Sequence, residues 1–547
     1  MRHLVVVAAA FAVAAAAPGL AASATFAVGL EPGADPQRVA RAVERATGSP
    51  VESLAPLPAL VVEASSTDSL RRLPGVRYVE LLRARRLALV PGDPLVPRQW
   101  YLSASRFYES WLTLPALAPV RVAVVDSGVD AGHPELAGKI VAARSFVGGS
   151  ARTDALGHGT FVSGLIAAGV ENGIGIAGLA PSAELLVAKV VTRSRTIPVK
   201  AEVQAITWAV ENGARVINMS LGGVRDPLDP DRDTYSRLEA DAVAFAVSRG
   251  VVVVAAVGNS DLAGGRPWPY ASYPAALPHV LGVSALAEDG TVPRFSNRDR
   301  VYNDLAAPGE RILSLLPRAV TARFPECAEQ GYSSCGPEDF RDAQGTSFAA
   351  PQVTAAVATL RALRPKLRAE QVTAILQRTA VDQTPATGCA ACAPGRDALT
   401  GWGRLDVAAA IAALAQPLPA QDRFETNDDL GPRAHRLRGD ERRLFATLDY
   451  WDDQDDVYAV HLDRGQGVYV GVRAPGAPVD LSLALWRPQA RSIEGVDSVR
   501  FRAALSTRPG ARQYLAYRAS ERGIHFVQVR IASPGFARYR LTLVKSR

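Results

Sequence analysis

Apolar and polar positions change rhythm three times along the chain. Between Thr25 and about Arg85 the extended runs TFAVGL, PALVVEA and RYVELL alternate with DPQRVARAVERATG and STDSLRRLPGV, which carry the helical period. This predicts a small α+β unit with its own core. The stretch that follows, RARRLALVPGDPLVPRQW, is basic and then rich in proline, so it reads as a linker or cleavage region. From about Gln99 to Pro417, short and nearly all-apolar runs (RVAVVD, ELLVAKVV, VINMSL, VVVVAAVG, VLGVSA) are interleaved with amphipathic ones, among them AEVQAITWAVENG, LEADAVAFAVSRG and SFAAPQVTAAVATLRAL. Continuous apolar strands between helices predict an α/β domain, a parallel sheet with helices on both faces. Past AQPLPAQ the period drops to two. The runs DDVYAVHLD, GVYVGVRA, VDLSLALW, QYLAYRA, HFVQVRI and YRLTLVK, parted by Gly, Pro and Asp turns, predict an antiparallel β-sandwich.

At 547 residues the chain exceeds one ordinary core, and the expected division is 1–24, 25–90, 91–417 and 418–547. The first segment has a basic start at Arg2, an apolar run from Leu4 to Ala17 and small residues at Ala22 and Ala24, the build of a secretory signal. That run is shorter than the ~20 residues of a bilayer span. No other segment is long enough, so the expectation is a secreted, extracellular protein without a transmembrane segment in the mature chain. The formal charge of +7 is spread along the sequence rather than gathered into a run, which argues against nucleic acid as a partner. Four cysteines form two local pairs, Cys327 with Cys335 and Cys389 with Cys392. In an exported chain disulfides are the default, with three connectivities open. CAAC also has zinc-knuckle spacing, but Cys327 and Cys335 are spaced unlike a second knuckle.

Three stretches of the middle domain carry chemistry: VAVVDSGVD around Asp126, GHGTFVSG around His158 and GTSFAAP around Ser347. A serine hydroxyl is a poor nucleophile at neutral pH. It needs a base to take its proton and a carboxylate to hold that base in the right tautomer. Asp126 ends an apolar strand, where open α/β sheets place their ligand sites. His158 and Ser347 each open a helix after glycine, so the Ser347 N–H is available to a developing oxyanion. Asn259 ends another strand and offers a second donor.

Asp, His, Asn and Ser in this order, each at the proper edge of one α/β pattern, resemble the subtilisin-like serine proteases (subtilases). The resemblance covers Asp93 to about Ala413 and includes NGIGIAGLAP, INMSLGG, AAVGNS, RFSNRDRVYNDLAAPGERILS and TGWGRLD. It implies a serine endopeptidase acting on protein or peptide substrates. In it Asp126 orients His158, His158 is general base and then acid, Ser347 is the nucleophile and Asn259 the oxyanion donor. It further implies a substrate strand beside Ser220, Leu221 and Gly222, a pocket walled by Ala256, Val257 and Gly258, and Ser272 at its floor, suited to an apolar P1 side chain. A structural calcium site is implied at Asp93, Glu135, Asn172 and the carbonyls of Val170, Ile174 and Ile176, with no organic cofactor. Residues 25–90 resemble the family's inhibitory propeptide, making the protein a self-processed zymogen, and a monomer is expected. Between Leu316 and Gln344 the chain carries a longer insertion than the simplest relatives, where a Cys327–Cys335 bridge would either pin the loop near the active site and narrow the cleft or only stiffen a surface loop. From about Asp422 the chain resembles the pre-peptidase C-terminal type of sandwich. Its acidic residues Asp428, Asp429, Asp452, Asp453, Asp455 and Asp456 read equally as calcium ligands or as solvated turns.

Overall fold

The computed structural model describes residues 24–64, 66–82, 91–111, 117–260, 267–323, 339–416, 422–425, 427–439, 441–450, 453–493 and 496–546. The expected signal, the basic linker at 83–90 and Cys327 with Cys335 lie outside these residues. The chain divides near residue 87 into two compact units.

In the first unit, strands β1 (Ala24–Leu30), β2 (Val51–Ser53), β3 (Ala59–Ala64) and β4 (Val76–Leu81) form an antiparallel sheet in the order β2-β3-β1-β4. Helix α1 (Pro36–Thr47) starts where the Asp35 carboxylate accepts the N–H of Gln37 and stops at Gly48, whose φ is 72°. Its Val39 and Val43 are buried with Val28, Leu60 and Val62 in a separate apolar core. The expected second helix is only a single 3-10 turn at Leu70–Arg72. Pro74, lacking an N–H, and Gly75 stop it from continuing.

The second unit opens with short helices α2 (Trp100–Ala104) and α3 (Phe107–Trp111). Its main sheet contains β5 (Val120–Asp126), β6 (Ile140–Ser145), β7 (Ala183–Lys189), β8 (Val216–Met219), β9 (Val252–Ala256), β10 (Val280–Leu286) and β11 (Leu305–Pro308). All seven are parallel, in the order β11-β10-β9-β8-β5-β7-β6. Helix α4 (His158–Ala167) packs on one face of this sheet; α5 (Val199–Glu211) and α6 (Arg237–Ser248) pack on the other. Successive residues of β5 show why its sequence is apolar throughout. Val122 and Val124 join one core, Ala123 and Val125 the opposite one. A hairpin of β12 (Ile312–Leu315) and β13 (Phe340–Ala343), flanking α7 (Arg318–Arg323), leads to α8 (Thr346–Leu363), which is buried along most of its length, and then to α9 (Ala369–Thr379) and α10 (Val407–Ala413). The five central strands and three long helices match the sequence reading. The edge strands β6 and β11 do not appear in it, because β6 is half-exposed and β11 is four residues long and ends at Pro308.

The C-terminal part is a sandwich of two sheets. One has the order β14-β16-β21-β18-β19, from β14 (His435–Arg436), β16 (Asp455–Leu462), β18 (Leu481–Trp486), β19 (Arg502–Ser506) and β21 (Gly523–Ile531). The other has the order β15-β22-β17-β20, from β15 (Glu441–Asp449), β17 (Gly467–Arg473), β20 (Arg512–Arg518) and β22 (Phe536–Ser546). The two inner faces meet in one apolar core, where the hydroxyls of Tyr458 and Tyr539 hydrogen-bond at 2.7 Å. Strands β14, β15 and β19 were not expected; in β15 the alternation is masked by exposed Phe445 and its arginines. The sandwich touches the α/β domain through Trp402 against Tyr450 and Arg491 over Tyr235. Cys389 and Cys392, both buried, are joined in a disulfide.

Candidate active site

Asp126 is the last residue of β5 and is buried; His158 is the first of α4. The His158 Nδ1 lies 2.8 and 2.9 Å from the two Asp126 oxygens. The Ser127 N–H donates to Asp126 Oδ1 at 2.7 Å, so the carboxylate is held before the imidazole reaches it. The turn before α4 is built on Asp154. Its carboxylate accepts from Ser127 Oγ, from the N–H groups of Leu156, Gly157 and Thr160, and from the Thr160 hydroxyl. Ser127 Oγ in turn accepts the Gly159 N–H at 2.9 Å, tying the β5 end to the α4 start. Asp154 escaped the sequence reading, although its place four residues before His158 was the available signal.

Burial opposes a charge on His158, but the charge and hydrogen bond of Asp126, with Asp154 behind it, outweigh burial and raise the imidazole pKa above its ordinary value. Burial likewise raises the Asp154 carboxyl, against the hydrogen bonds it accepts.

Ser347 is the second residue of α8. Its Oγ donates to the Ser220 carbonyl at 3.2 Å, while Ser220 Oγ donates to the Ser347 carbonyl at 2.7 Å. Asn218, at the end of β8, supports this exchange: its amide donates to Ser220 Oγ and its oxygen accepts from Thr354 of α8. The next residue, Phe348, stacks at 5.5 Å from the His158 ring and 4.4 Å from Phe161, so the starts of α4 and α8 face each other. Asn259 Oδ1 accepts the N–H and hydroxyl of Thr346, at 2.7 and 2.9 Å. With its oxygen so engaged, the amide NH₂ is turned away from Thr346. Gly345 (φ 147°) opens this corner; a Cβ there would stand 3.4 Å from Asn259 Nδ2.

The segments after β8 and β9 lie side by side, since the strands pair in parallel. Leu221 and Gly222 are accessible, and the chain then bridges to Tyr273 through two backbone bonds of 2.9 Å. Ala256 and Val257 are buried, and Gly258 adopts φ 107°, where a Cβ would meet Asn297 Nδ2 and Ser272 Oγ at 2.4 Å. Ser272 is joined to this segment by its N–H to the Val257 carbonyl. Buried Asn297 holds the wall together: it bonds Val257 and Gly258 carbonyls and takes the N–H and hydroxyl of Ser260. It too was missed, for an asparagine in a loop carries no periodic signal.

Of the expected calcium ligands, Asp93, Glu135 and Asn172 are linked by hydrogen bonds. Asp93 accepts the N–H groups of Glu171, Asn172 and Gly173; Glu135 accepts from the Asn172 amide and the Ile176 N–H. Burial pushes the Glu135 carboxyl up to about 7, with the charge of Asp93 adding to it. Neither carboxylate has an ion pair to Lys or Arg among the described residues. Two hard, buried carboxylates without an ion pair, beside the Asn172 side chain, suit a calcium ion. A second acidic group lies on the sandwich, where Asp422, Glu425 and Asp456, and Glu425, Asp428 and Asp453, hold their oxygens within 4.8 Å of one another. Asp429, Asp453, Asp455 and Asp456 are buried, not solvated turn residues; Asp452 is outside the described residues. Asn427 Oδ1 and Asp453 Oδ1 have no hydrogen-bond partner among the described residues. Burial and mutual repulsion push Glu425 up to about 7 and raise Asp428, Asp453 and Asp456 well above the carboxylate range. Asp428 faces His279 of the α/β domain at 3.7 Å.

Among known proteins, residues 118–403 match the Subtilase family. Subtilisin DY of Bacillus licheniformis is 36% identical over 266 residues, which are 48% of this chain and 85% of that protein. Thermitase of Thermoactinomyces vulgaris is 35% identical over 300 residues, 54% of this chain and 94% of its own. Subtilisin E of Bacillus subtilis is 34% identical over 331 residues, 59% and 74% of the two chains. With the parallel sheet, its helices and the Asp, His and Ser at the sheet's carboxyl edge, these matches make the chain a member of the subtilase family of serine endopeptidases.

Proposed function

We propose that this subtilase hydrolyses peptide bonds through Asp126, His158 and Ser347, with Asn259 completing the oxyanion hole. The observation that carries the reading is the His158 Nδ1 contact to Asp126 at 2.8 Å, which commits Nδ1 to the carboxylate and so assigns the role of base to Nε2. In this reading Nε2 takes the Ser347 hydroxyl proton as Oγ attacks the scissile carbonyl. The tetrahedral oxyanion is met by the Ser347 N–H at the start of α8 and by the Asn259 amide. His158 then protonates the leaving amine, and water releases the acyl group by the same steps in reverse. Substrate lies along Ser220, Leu221 and Gly222 on one side and Ala256, Val257 and Gly258 on the other, with Ser272 at the floor of a pocket for an apolar P1 side chain.

The enzyme is made with an export signal in residues 1–24 and an inhibitory propeptide in residues 25–90, which it removes itself. Support comes from the first unit's own sheet and core. Calcium stabilises the fold, held by Asp93, Glu135, Asn172 and the carbonyls of Val170, Ile174 and Ile176, and by the acidic group around Asp453. Among the described residues no helix is long and apolar enough to cross a membrane.

The test is mass analysis of the secreted chain beside Ser347→Ala, with casein hydrolysis and fluorophosphonate labelling of both. Loss of residues before about Asp93, casein cleavage and labelling in the wild type alone support the reading. A wild type that stays full length, takes no label and leaves casein intact overturns it.

A further inference from the structure

The outer face of the β15-β22-β17-β20 sheet carries a row of arginines that have no ion pair among the described residues. Residue pairing across the strands puts Phe445 beside Arg540, Arg540 beside Arg473 and Arg473 beside Arg512. Arg538 lies on the same face two residues along β22, and Tyr514 two residues along β20. Arg473, Arg512, Arg538 and Arg540 are exposed, and none has an ion pair among the described residues. Like charges directly opposite one another weaken a sheet. Three adjacent strands nevertheless place arginine at the same register, and between them a depression is lined by Phe445, Arg473, Pro475, Arg538 and Arg540.

Aromatic rings share this face. Tyr469 is 46% exposed, Tyr514 42% and Phe445 67%. The Tyr469 ring leans over Gly471, where an added Cβ would meet it at 3.4 Å, so it lies along the sheet and presents a ring face. The contacts to the α/β domain include Asp428, Arg433, Tyr450 and Arg491, none of which is in the arginine row.

We infer that this face binds an anionic polysaccharide, its carboxylate or sulfate groups paired with Arg540, Arg473 and Arg512 and its sugar rings stacked on Tyr469, since Arg508 already lies over the Tyr514 ring. Guanidinium forks suit planar or tetrahedral oxyanions, and flat rings suit the C–H faces of sugars. Neighbouring strands step by about 5 Å, close to one sugar residue and shorter than the phosphate step of an extended single strand. The site would hold the enzyme on an acidic glycan matrix while the α/β domain cuts protein.

The test uses the full chain carrying Ser347→Ala to prevent self-digestion. Binding is measured to dextran sulfate, polygalacturonate, neutral dextran, an oligothymidylate and phosphatidylglycerol vesicles. The expected result is salt-sensitive binding to the first two and none to neutral dextran. Arg473→Glu with Arg540→Glu should weaken it by about tenfold or more, and Tyr469→Ser by a few-fold, while Arg193→Glu with Arg237→Glu, the same charge change on the α/β domain, leaves it within about twofold. Arg473→Lys with Arg540→Lys replaces the reversal if that variant fails to fold, and should also weaken binding because the forks are lost. Equal weakening by the control pair, tighter binding to the oligonucleotide or the vesicles, or no binding to either acidic glycan overturns the inference.

Discussion

Thr346 holds Asn259 by two donors at once, its N–H at 2.7 Å and its hydroxyl at 2.9 Å, both on the side-chain oxygen. The pair fixes which end of the amide faces the cleft. Asn259→Ala should therefore lower kcat by about 10²–10³, a magnitude taken over from subtilisin and not from these distances, with little change in KM. Thr346→Val removes one anchor and should cost about tenfold in kcat, and Thr346→Ser should restore it. Steady-state kinetics on a chromogenic peptide separates these outcomes, since a general loss of fold would move KM and the thermal midpoint as well.

With His158 as the proposed base, its raised pKa should set the acid limb of the pH profile. The imidazole works as base only when neutral, so kcat/KM should fall as pH drops through a value above that of an ordinary histidine. Asp126→Asn removes the charge that raises it. The limb should shift to lower pH, and kcat should drop by about 10⁴ because the tautomer is no longer held. A pH profile of both variants measures the shift directly.

Glu202 of α5 and Glu239 of α6 form a buried carboxyl pair with a consequence for stability. Burial first, then the charge of its partner, pushes Glu202 up to about 9, and burial pushes Glu239 up to about 7, from an ordinary 4.5. Folded values above unfolded ones mean that the unfolded chain releases these protons earlier. The contribution to stability is thus present at acid pH and lost as pH rises from about 4.5 towards 9. Glu202→Gln should raise the thermal midpoint at pH 9 while changing little at pH 5, by on the order of 1–3 kcal/mol. Calorimetry of the inhibited enzyme at the two pH values tests the sign.

Chelation of calcium should lower the thermal midpoint by several degrees, since an ion at 100 times its Kd adds about 2.7 kcal/mol. Asp453→Asn removes one charge from the crowded acidic group of the sandwich. It should raise stability in chelator and reduce the gain on adding calcium. Equal calcium gains in wild type and Asp453→Asn would remove this group from the account and leave the loop around Glu135.

The central sheet was legible because each of its five inner strands is apolar on both faces, and a run such as VVVVAAVG has few other places to go. The candidate site was legible because Asp126, His158 and Ser347 sit at strand and helix ends, where short motifs keep their local geometry. Edge strands β6 and β11 were not, since β6 is half-exposed and its pattern blurs into loop, while β11, though buried, is only four residues long and ends at Pro308. The helix expected over STDSLRRLPGV failed for a local reason that was visible, the Pro74–Gly75 pair.

Order along the chain thus determined the parallel sheet, the C-terminal sandwich and which residues to propose for the chemistry, because periodicity and end motifs report how each element meets its surroundings. Folding alone decided which end of the Asn259 amide is free, that Asp154 and Asn297 brace the site, that Glu202 meets Glu239, that Asp453 is buried beside Glu425 and Asp428, and that Arg540, Arg473 and Arg512 form one row. Each of these depends on the register and stacking of elements that are distant in sequence. A pattern confined to one element cannot encode that, because the partner's side chain supplies half of every such contact.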